Sequence, residues 1–251
     1  MVKRMNVKVK NGANIYLIGD THVGSKNFDK EALKKTVNII KKDKKAAVFF
    51  MGDAAEFILP DDKRFDIENI DPENLTAERQ YSTLRNILMP IKDKIKGILE
   101  GNHDFTQKKK SGFDVPHILS HDFNAKYLGS SGLIRFSNGI RMFISHGNGS
   151  GTTLASSIRK VLQMASNFKI KPDIVGMGHT HALQILNNAH LGDDFNVGVD
   201  ILALTGSYYK TYIDGEENYG SRRVFAPLVC GCIKINMDKV GNLRGETLIF
   251  E

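Results

Sequence analysis

The chain has 251 residues, 41% hydrophobic and 25% charged, proportions of an ordinary folded domain rather than a disordered or low-complexity chain. Its net charge of +7 suits an anionic partner without requiring one, and two cysteines are too few for a disulfide framework or an all-thiolate zinc site. The sequence has no apolar run near the roughly 18 residues of a membrane span, and MVKRMNVKVKNG lacks the apolar stretch of a secretion signal, so the expected compartment is the cytoplasm with no membrane partner.

In chain order, NIYLIGD reads as a first strand and Lys30 to Lys42 as a helix. AAVFFMGD is a second strand, followed by the irregular acidic stretch LPDDKRFDIENIDPEN. A helix is expected from Asp71-Pro72, a cap with proline at the first helical position, to about Met89, where Pro90 stops it. KGILEGN makes a third strand. GLIRFSNGIRMFISHG is two strands joined by Asn138-Gly139, a strong signal for a tight hairpin turn.

A helix from about Thr153 to Asn167 and a strand in PDIVGMGHTH follow. From Ala182 onward the pattern is mostly strand, interrupted by the loop-rich YIDGEENYGSRRVFAP. Cys230 and Cys232 alternate in LVCGCIKI and read as small hydrophobes on one face of a strand. No repeat, low-complexity tract or linker divides the chain, so the reading is a single α/β domain over residues 1–251 with mixed sheets.

Four apolar runs end in glycine and then a metal-ligand residue type: IYLIGD, VFFMGD, KGILEGN and DIVGMGH. Strands lying side by side would gather Asp20, Asp53, Asn102 and His179 at one sheet edge, where open α/β sheets place their ligands. His22 and His181 follow two positions after Asp20 and His179, so each pair points the same way in an extended segment. His146, in FISHGNG, ends a fifth run.

Taken singly, Asp20 or Asp53 is an ordinary helix cap and His146 an ordinary structural histidine. Five strand ends carrying only oxygen and imidazole ligands are hard to explain by caps. The set is too large for one four-coordinate ion and suits two ions about 3.5–4 Å apart that share a carboxylate. Imidazole without thiolate favours manganese, iron, zinc or a similar transition metal over magnesium.

The ordered motifs GDTH, GD, GNHD, HG and GHTH, spread from Asp20 to His181, resemble those of the calcineurin-like metallophosphoesterases. The resemblance implies a four-layered sandwich, two mixed β-sheets flanked by helices, with a motif-bearing core over residues 14–182 and C-terminal strands over 183–251 completing the second sheet. It implies that Asp20, His22, Asp53 and His181 hold one divalent transition-metal ion and Asp53, Asn102, His146 and His179 the other. Asp53 would bridge them. Manganese leads, with iron, zinc, nickel and cobalt as alternatives.

In the family, His103 would protonate the leaving oxygen or stabilise the transition state, with Asp104 as its partner. The chemistry is coherent: water between two cations is acidic enough to supply hydroxide near neutral pH, and an imidazole held by a carboxylate stays protonated there. Ala-Ala-Glu after Asp53 lacks the tyrosine ligand of purple acid phosphatases, and GNHD departs from the Asn-His-Glu form of the protein Ser/Thr phosphatases.

The motif forms are more similar to the phosphodiesterase and nuclease branches, including the nuclease subunit of the double-strand-break repair complex and small phage phosphoesterases. The expectation is therefore a phosphodiester substrate, with DNA or RNA among the candidates. A phosphomonoesterase is the alternative, and a non-catalytic scaffold sits poorly with an intact ligand set.

Around the motifs, Lys108, Lys109 and Lys110 could hold flanking phosphates, although a solvated lysine run would look the same. Tyr208, Tyr209 and Tyr212 could stack bases, with Arg222 and Arg223 clamping phosphate. No sequence remains for the helical cap domain of the repair nuclease, so a nuclease here would be a minimal one.

Overall fold

The computed structural model describes residues 2–10, 12–58, 60, 62, 65–149, 153–169, 171–191, 197–215, 219–222, 227–238 and 241–250. The first half contains β1 (Lys3–Val7), β2 (Asn14–Ile18), α1 (Lys30–Lys42), β3 (Ala46–Phe50), α2 (Ala77–Leu88), β4 (Ile95–Leu99), α3 (Asn102–Ser111) and α4 (Val115–Asp122). Next come β5 (Lys126–Gly129), the hairpin of β6 (Ser131–Phe136) and β7 (Arg141–Ser145), α5 (Leu154–Ser166) and β8 (Ile174–Met177). The chain closes with β9 (Leu183–Leu191), β10 (Val197–Thr205), the short α6 (Tyr219–Arg222), β11 (Cys230–Met237) and β12 (Leu243–Phe250).

Among the described residues these strands form two six-stranded mixed sheets, ordered β1-β6-β7-β8-β10-β9 and β12-β11-β2-β3-β4-β5. Alternation along the strands explains the layers. Ile15, Leu17, Ala47 and Phe49 point inward and pack with Ile134, Met142, Ile144 and Ile174 between the sheets. Their neighbours Tyr16, Ile18, Val48 and Phe50 point outward onto Leu33, Val37, Leu84 and Leu88 of α1 and α2. On the opposite outer face, Val175, Met177, Leu202 and Leu204 pack with Val161 and Ala165 of α5. The result is the expected helix–sheet–sheet–helix sandwich.

Four local expectations change. The C-terminal strands do not all complete one sheet: β9 and β10 extend the sheet of β8, while β11 and β12 extend that of β2. The helix expected from Asp71 is broken. Asp71 instead caps a 3₁₀ turn at Pro72–Asn74, where Asn74 donates to its carboxylate at 2.6 Å and accepts from Thr83. Those side-chain bonds compete with helical continuation, so α2 starts afresh at Ala77 under a Thr76 cap.

β1 and β5, unread in the sequence, are sheet-edge strands, and each is partly exposed, so neither shows a long apolar signature. The polar α3 was also unread. It is held by its ends, a carboxylate of Asp104 closing the first turn and left-handed Gly112 (φ 75°) closing the last. Cys230 and Cys232 are free thiols buried in the core between β11 and α1.

Candidate metal centre and cleft

Strands β2, β3 and β4 run parallel and finish at one level, which delivers Asp20, Asp53 and Asn102 side by side. Strands β7 and β8, parallel in the facing sheet, deliver His146, His179 and His181 to the same edge. Hydrogen bonds stitch the two edges together. The His179 backbone N–H donates to both oxygens of Asp20 at 3.0 and 3.2 Å, and His146 Nδ1 lies 2.8 Å from the Met51 carbonyl. All seven residues named from the strand ends thus meet in one place.

The backbone is bent to achieve this. Among the described residues seven non-glycine positions have positive φ, and five of them are Asp20 (49°), His22 (48°), Asp53 (47°), His179 (66°) and His181 (57°). Left-handed conformations cost these residue types free energy, and such outliers concentrate where geometry serves a site. Gly101 serves differently, since its own backbone is extended. A Cβ there would lie 2.1 Å from Asp53 Oδ1, so only glycine lets β4 end this close to the central carboxylate.

Asp53 is that centre. Its Oδ1 accepts from the backbone N–H of His103 at 2.9 Å, while Oδ2 lies 3.2 Å from His146 Nε2 and 3.9 Å from His22 Nε2. One oxygen is therefore tied to the scaffold and the other faces both histidine sets. Groups able to hold a metal ion cluster as Asp20, His22 and His181 on one side and Asp53, His146 and His179 on the other.

The tautomers can be read from the outer hydrogen bonds. His146 Nδ1–H donates to Met51 O, and His179 Nε2–H to Gly149 O at 2.9 Å. Their other ring nitrogens then present lone pairs to Asn102 Oδ1 at 3.1 and 2.7 Å. His22 Nδ1–H donates to Glu56 at 2.8 Å, leaving Nε2 facing His181 Nε2 at 2.9 Å. Acceptors pointed at acceptors need a proton or a cation between them. This donor set, imidazole nitrogen with carboxylate and amide oxygen, fits divalent transition-metal ions.

Without a cation, protons fill the role. Burial alone would depress His22 and His146, but the Glu56 hydrogen bond and charge raise the first to about 9, and Asp53 raises the second to about 10. Burial alone would raise Asp53, yet the charges of His146, His103 and His22 hold it well below the usual carboxylate range. Burial pushes Asp20 up to about 7, with Asp53 adding to the push against the pull of His146. Burial, reinforced by the His22 charge, keeps His181 well below the usual imidazole value.

His103 stands at the mouth of the cluster, half-buried, its ring edge-on to His22 with centroids 4.9 Å apart. Its Nδ1 lies 2.5 Å from the Glu56 carbonyl, so that nitrogen carries the proton it donates. The expected partnership with Asp104 is not what holds the ring. Asp104 is the third residue of α3, and its carboxylate folds back to accept from Gly101 N–H at 2.8 Å and Ala54 N–H at 3.1 Å. Burial, with Asp53 adding, raises Asp104 to about 7.

Glu56 is the residue the sequence reading missed. Its carboxylate orients His22, its carbonyl orients His103, and its own N–H donates to Val23 O at 2.9 Å. The available signal was faint: one carboxylate in the otherwise apolar AAEF that follows Asp53.

The expected substrate residues fare unevenly. Lys108 Nζ sits 2.8 Å from Asp114 and 3.1 Å from Glu100, and Lys110 is 3.3 Å from Asp62. Neither these two nor Lys109 lines the cleft, because the last turn of α3 lies away from its first. Arg222 does line it, 3.6 Å from both Asp66 and Glu68. Arg223 lies outside the described residues. Tyr208 is core, its hydroxyl donating to Thr36 at 2.8 Å, whereas Tyr209 lines the cleft and Tyr212 is exposed.

The cleft itself has a volume of about 330 Å³ and runs from His22, Asp53, His103, His179 and His181 outward. Among the described residues no helix is long and apolar enough to cross a membrane.

With this geometry in hand, the chain can be placed among known proteins. The calcineurin-like phosphoesterase family model matches residues 13–203, and the chain belongs to that family of metal-dependent phosphoester hydrolases. Similar solved structures include a phosphatase from Mycoplasma pneumoniae (12% identity, 96% of this chain and 94% of that one, TM-score 0.45). Others are Vps29 from Entamoeba histolytica (14%, 95% and 99%, TM-score 0.44) and a predicted phosphoesterase from Streptococcus pneumoniae (13%, 96% and 99%, TM-score 0.39). No curated protein matches the chain.

Proposed function

We propose that the protein hydrolyses a phosphodiester, with two divalent transition-metal ions, manganese foremost, held by Asp20, His22 and His181 on one side and Asn102, His146 and His179 on the other, Asp53 between them. The observation that carries this reading is the convergence of lone pairs on both sides of Asp53 Oδ2. When bound, such ions neutralise phosphoryl oxygens and make water acidic enough to supply a nucleophile.

The chain's own residues supply the rest. His103 keeps Nδ1–H on the Glu56 carbonyl in either protonation state, so its second proton resides on Nε2. Transfer of that proton to the departing oxygen leaves a neutral imidazole still held in place. Asp104 and Gly101 fix the start of α3 and hence the position of His103.

The cleft beyond the ligand cluster is what favours a diester over a monoester. The lining contains Glu56 and Asp66, and its one described Lys or Arg side chain, Arg222, already lies against carboxylates. Bound metal ions would attract either substrate. The diester reading is supported instead by the motif forms and by a cleft of about 330 Å³ that extends past the ligand cluster, with room for a second ester arm that a monoester lacks. DNA and RNA belong to the reading only as one form of diester, because Lys108, Lys109 and Lys110 do not line the cleft.

The test is hydrolysis by the manganese-loaded protein of bis(4-nitrophenyl) phosphate, 4-nitrophenyl phosphate and single-stranded DNA. The diester should be the better small substrate, and turnover of the monoester alone would refute the proposal. His103→Asn should slow hydrolysis of an alkyl-leaving diester by about 10²-fold while metal content stays at the wild-type level. Loss of both metals in that variant would mean His103 is a ligand and not an acid.

A further inference from the structure

Beyond the histidines, the cleft wall changes character. Ile58 from the loop after β3, Ile70 from the loop before α2, and Leu228 from the segment before β11 line it together with Tyr209. The ring of Tyr209 packs edgewise on His22 and at a tilt on His181, with centroids 5.7 and 5.8 Å apart, so this wall directly adjoins the metal-ligand cluster. Nothing in the phosphoryl chemistry needs three branched aliphatics and an aromatic ring there.

Two features narrow what the wall can receive. Among the described residues it carries two carboxylates, Glu56 and Asp66, and a single guanidinium, Arg222, which is already close to Asp66 and Glu68. A polynucleotide needs cationic groups tracking its backbone to either side of the cleaved linkage. The cleft is also small, about 330 Å³, at the lower end of the roughly 300–1,000 Å³ of small-molecule sites. One phosphate and one ring-bearing arm fill such a space.

Resting on the phosphodiesterase reading, we infer that Ile58, Ile70, Tyr209 and Leu228 form a subsite for the uncharged, flat organic arm that stays on phosphorus while the other arm departs, a ring of nucleoside size. The substrate class is then a small ring-bearing phosphodiester and not an internal linkage of a nucleic-acid strand. Aliphatic and aromatic side chains bind a ring by removing both faces from water, which a short alkyl arm cannot exploit.

Thymidine 5′-(4-nitrophenyl phosphate) and methyl 4-nitrophenyl phosphate test this, because they share a leaving group and differ only in the other arm. The wild-type protein should show kcat/KM at least about tenfold higher for the thymidine ester, mostly through KM. Leu228→Glu and, separately, Ile58→Asp should cut the ratio of the two kcat/KM values by about tenfold. Both positions are half-buried, and circular dichroism confirms that each variant is folded before the ratio is taken.

Hydrolysis of both esters with no preference, or a preference that both folded variants retain, overturns the subsite and leaves the phosphodiesterase reading intact. Faster cleavage of single-stranded DNA than of the thymidine ester also overturns it. Hydrolysis of neither ester overturns both.

Discussion

The first and last turns of α3 are built from equally polar residues and do opposite things. In the first turn Asn102 points into the cluster, His103 is fixed by the Asp53 carboxylate and the Glu56 carbonyl, and Asp104 closes the turn from within. About 10 Å further along the axis, Lys108 and Lys110 are occupied by Glu100, Asp114 and Asp62. Closeness in sequence had suggested that the lysines serve the same substrate as the histidine. A helix separates them, and the difference teaches that charge near a motif is not charge near its chemistry.

The comparison can be broken at either end. The largest effect is expected at Asp104. Replacing it by alanine strands two buried backbone donors, Gly101 N–H and Ala54 N–H, and should lower the free energy of unfolding by about 2–4 kcal/mol. Denaturant titration reads this directly. A variant as stable as wild type but catalytically dead would return Asp104 to the role of proton-transfer partner.

A smaller effect is expected at Glu56, which joins the first turn to the ligand set. Glu56→Ala removes the acceptor that orients His22, and one of the two proposed metals should bind roughly 10–100-fold more weakly. Metal titration of the folded variant checks this. An unchanged titration would mean that packing alone orients His22. The smallest effect belongs to the other end: replacing Lys108, Lys109 and Lys110 together by glutamine should change kcat/KM for a diester by less than about twofold. A tenfold loss would bring the last turn back onto the substrate path.

The proposed ligand residues were legible because each sits where an apolar run stops, and both the run and its stop are written in consecutive residues. Asp20, Asp53, Asn102, His146 and His179 could all be named that way, with His22 and His181 following by a spacing of two. The outer strands β1 and β5 were not legible, since an edge strand that buries little has no apolar pattern to show. Helix α3 was invisible for a related reason: its ends, not its faces, hold it. The split of the C-terminal strands between sheets left no local trace either, because every strand there alternates or is apolar in a way both sheets accept.

From its sequence alone this protein is determined to be an α/β chain whose strand ends carry seven residues of metal-ligand type in the order of the calcineurin-like phosphoesterases. Alternation and strand punctuation are local properties, so they survive in one dimension. Only the tertiary structure decided which nitrogen of each histidine faces inward, that Glu56 and not Asp104 steadies His103, and that the lysines lie off the cleft. Those outcomes depend on contacts across separations as large as 34 residues for His22–Glu56 and 159 for His22–His181. A hydrogen bond chooses its partner by distance in space, and only the folded chain sets that distance.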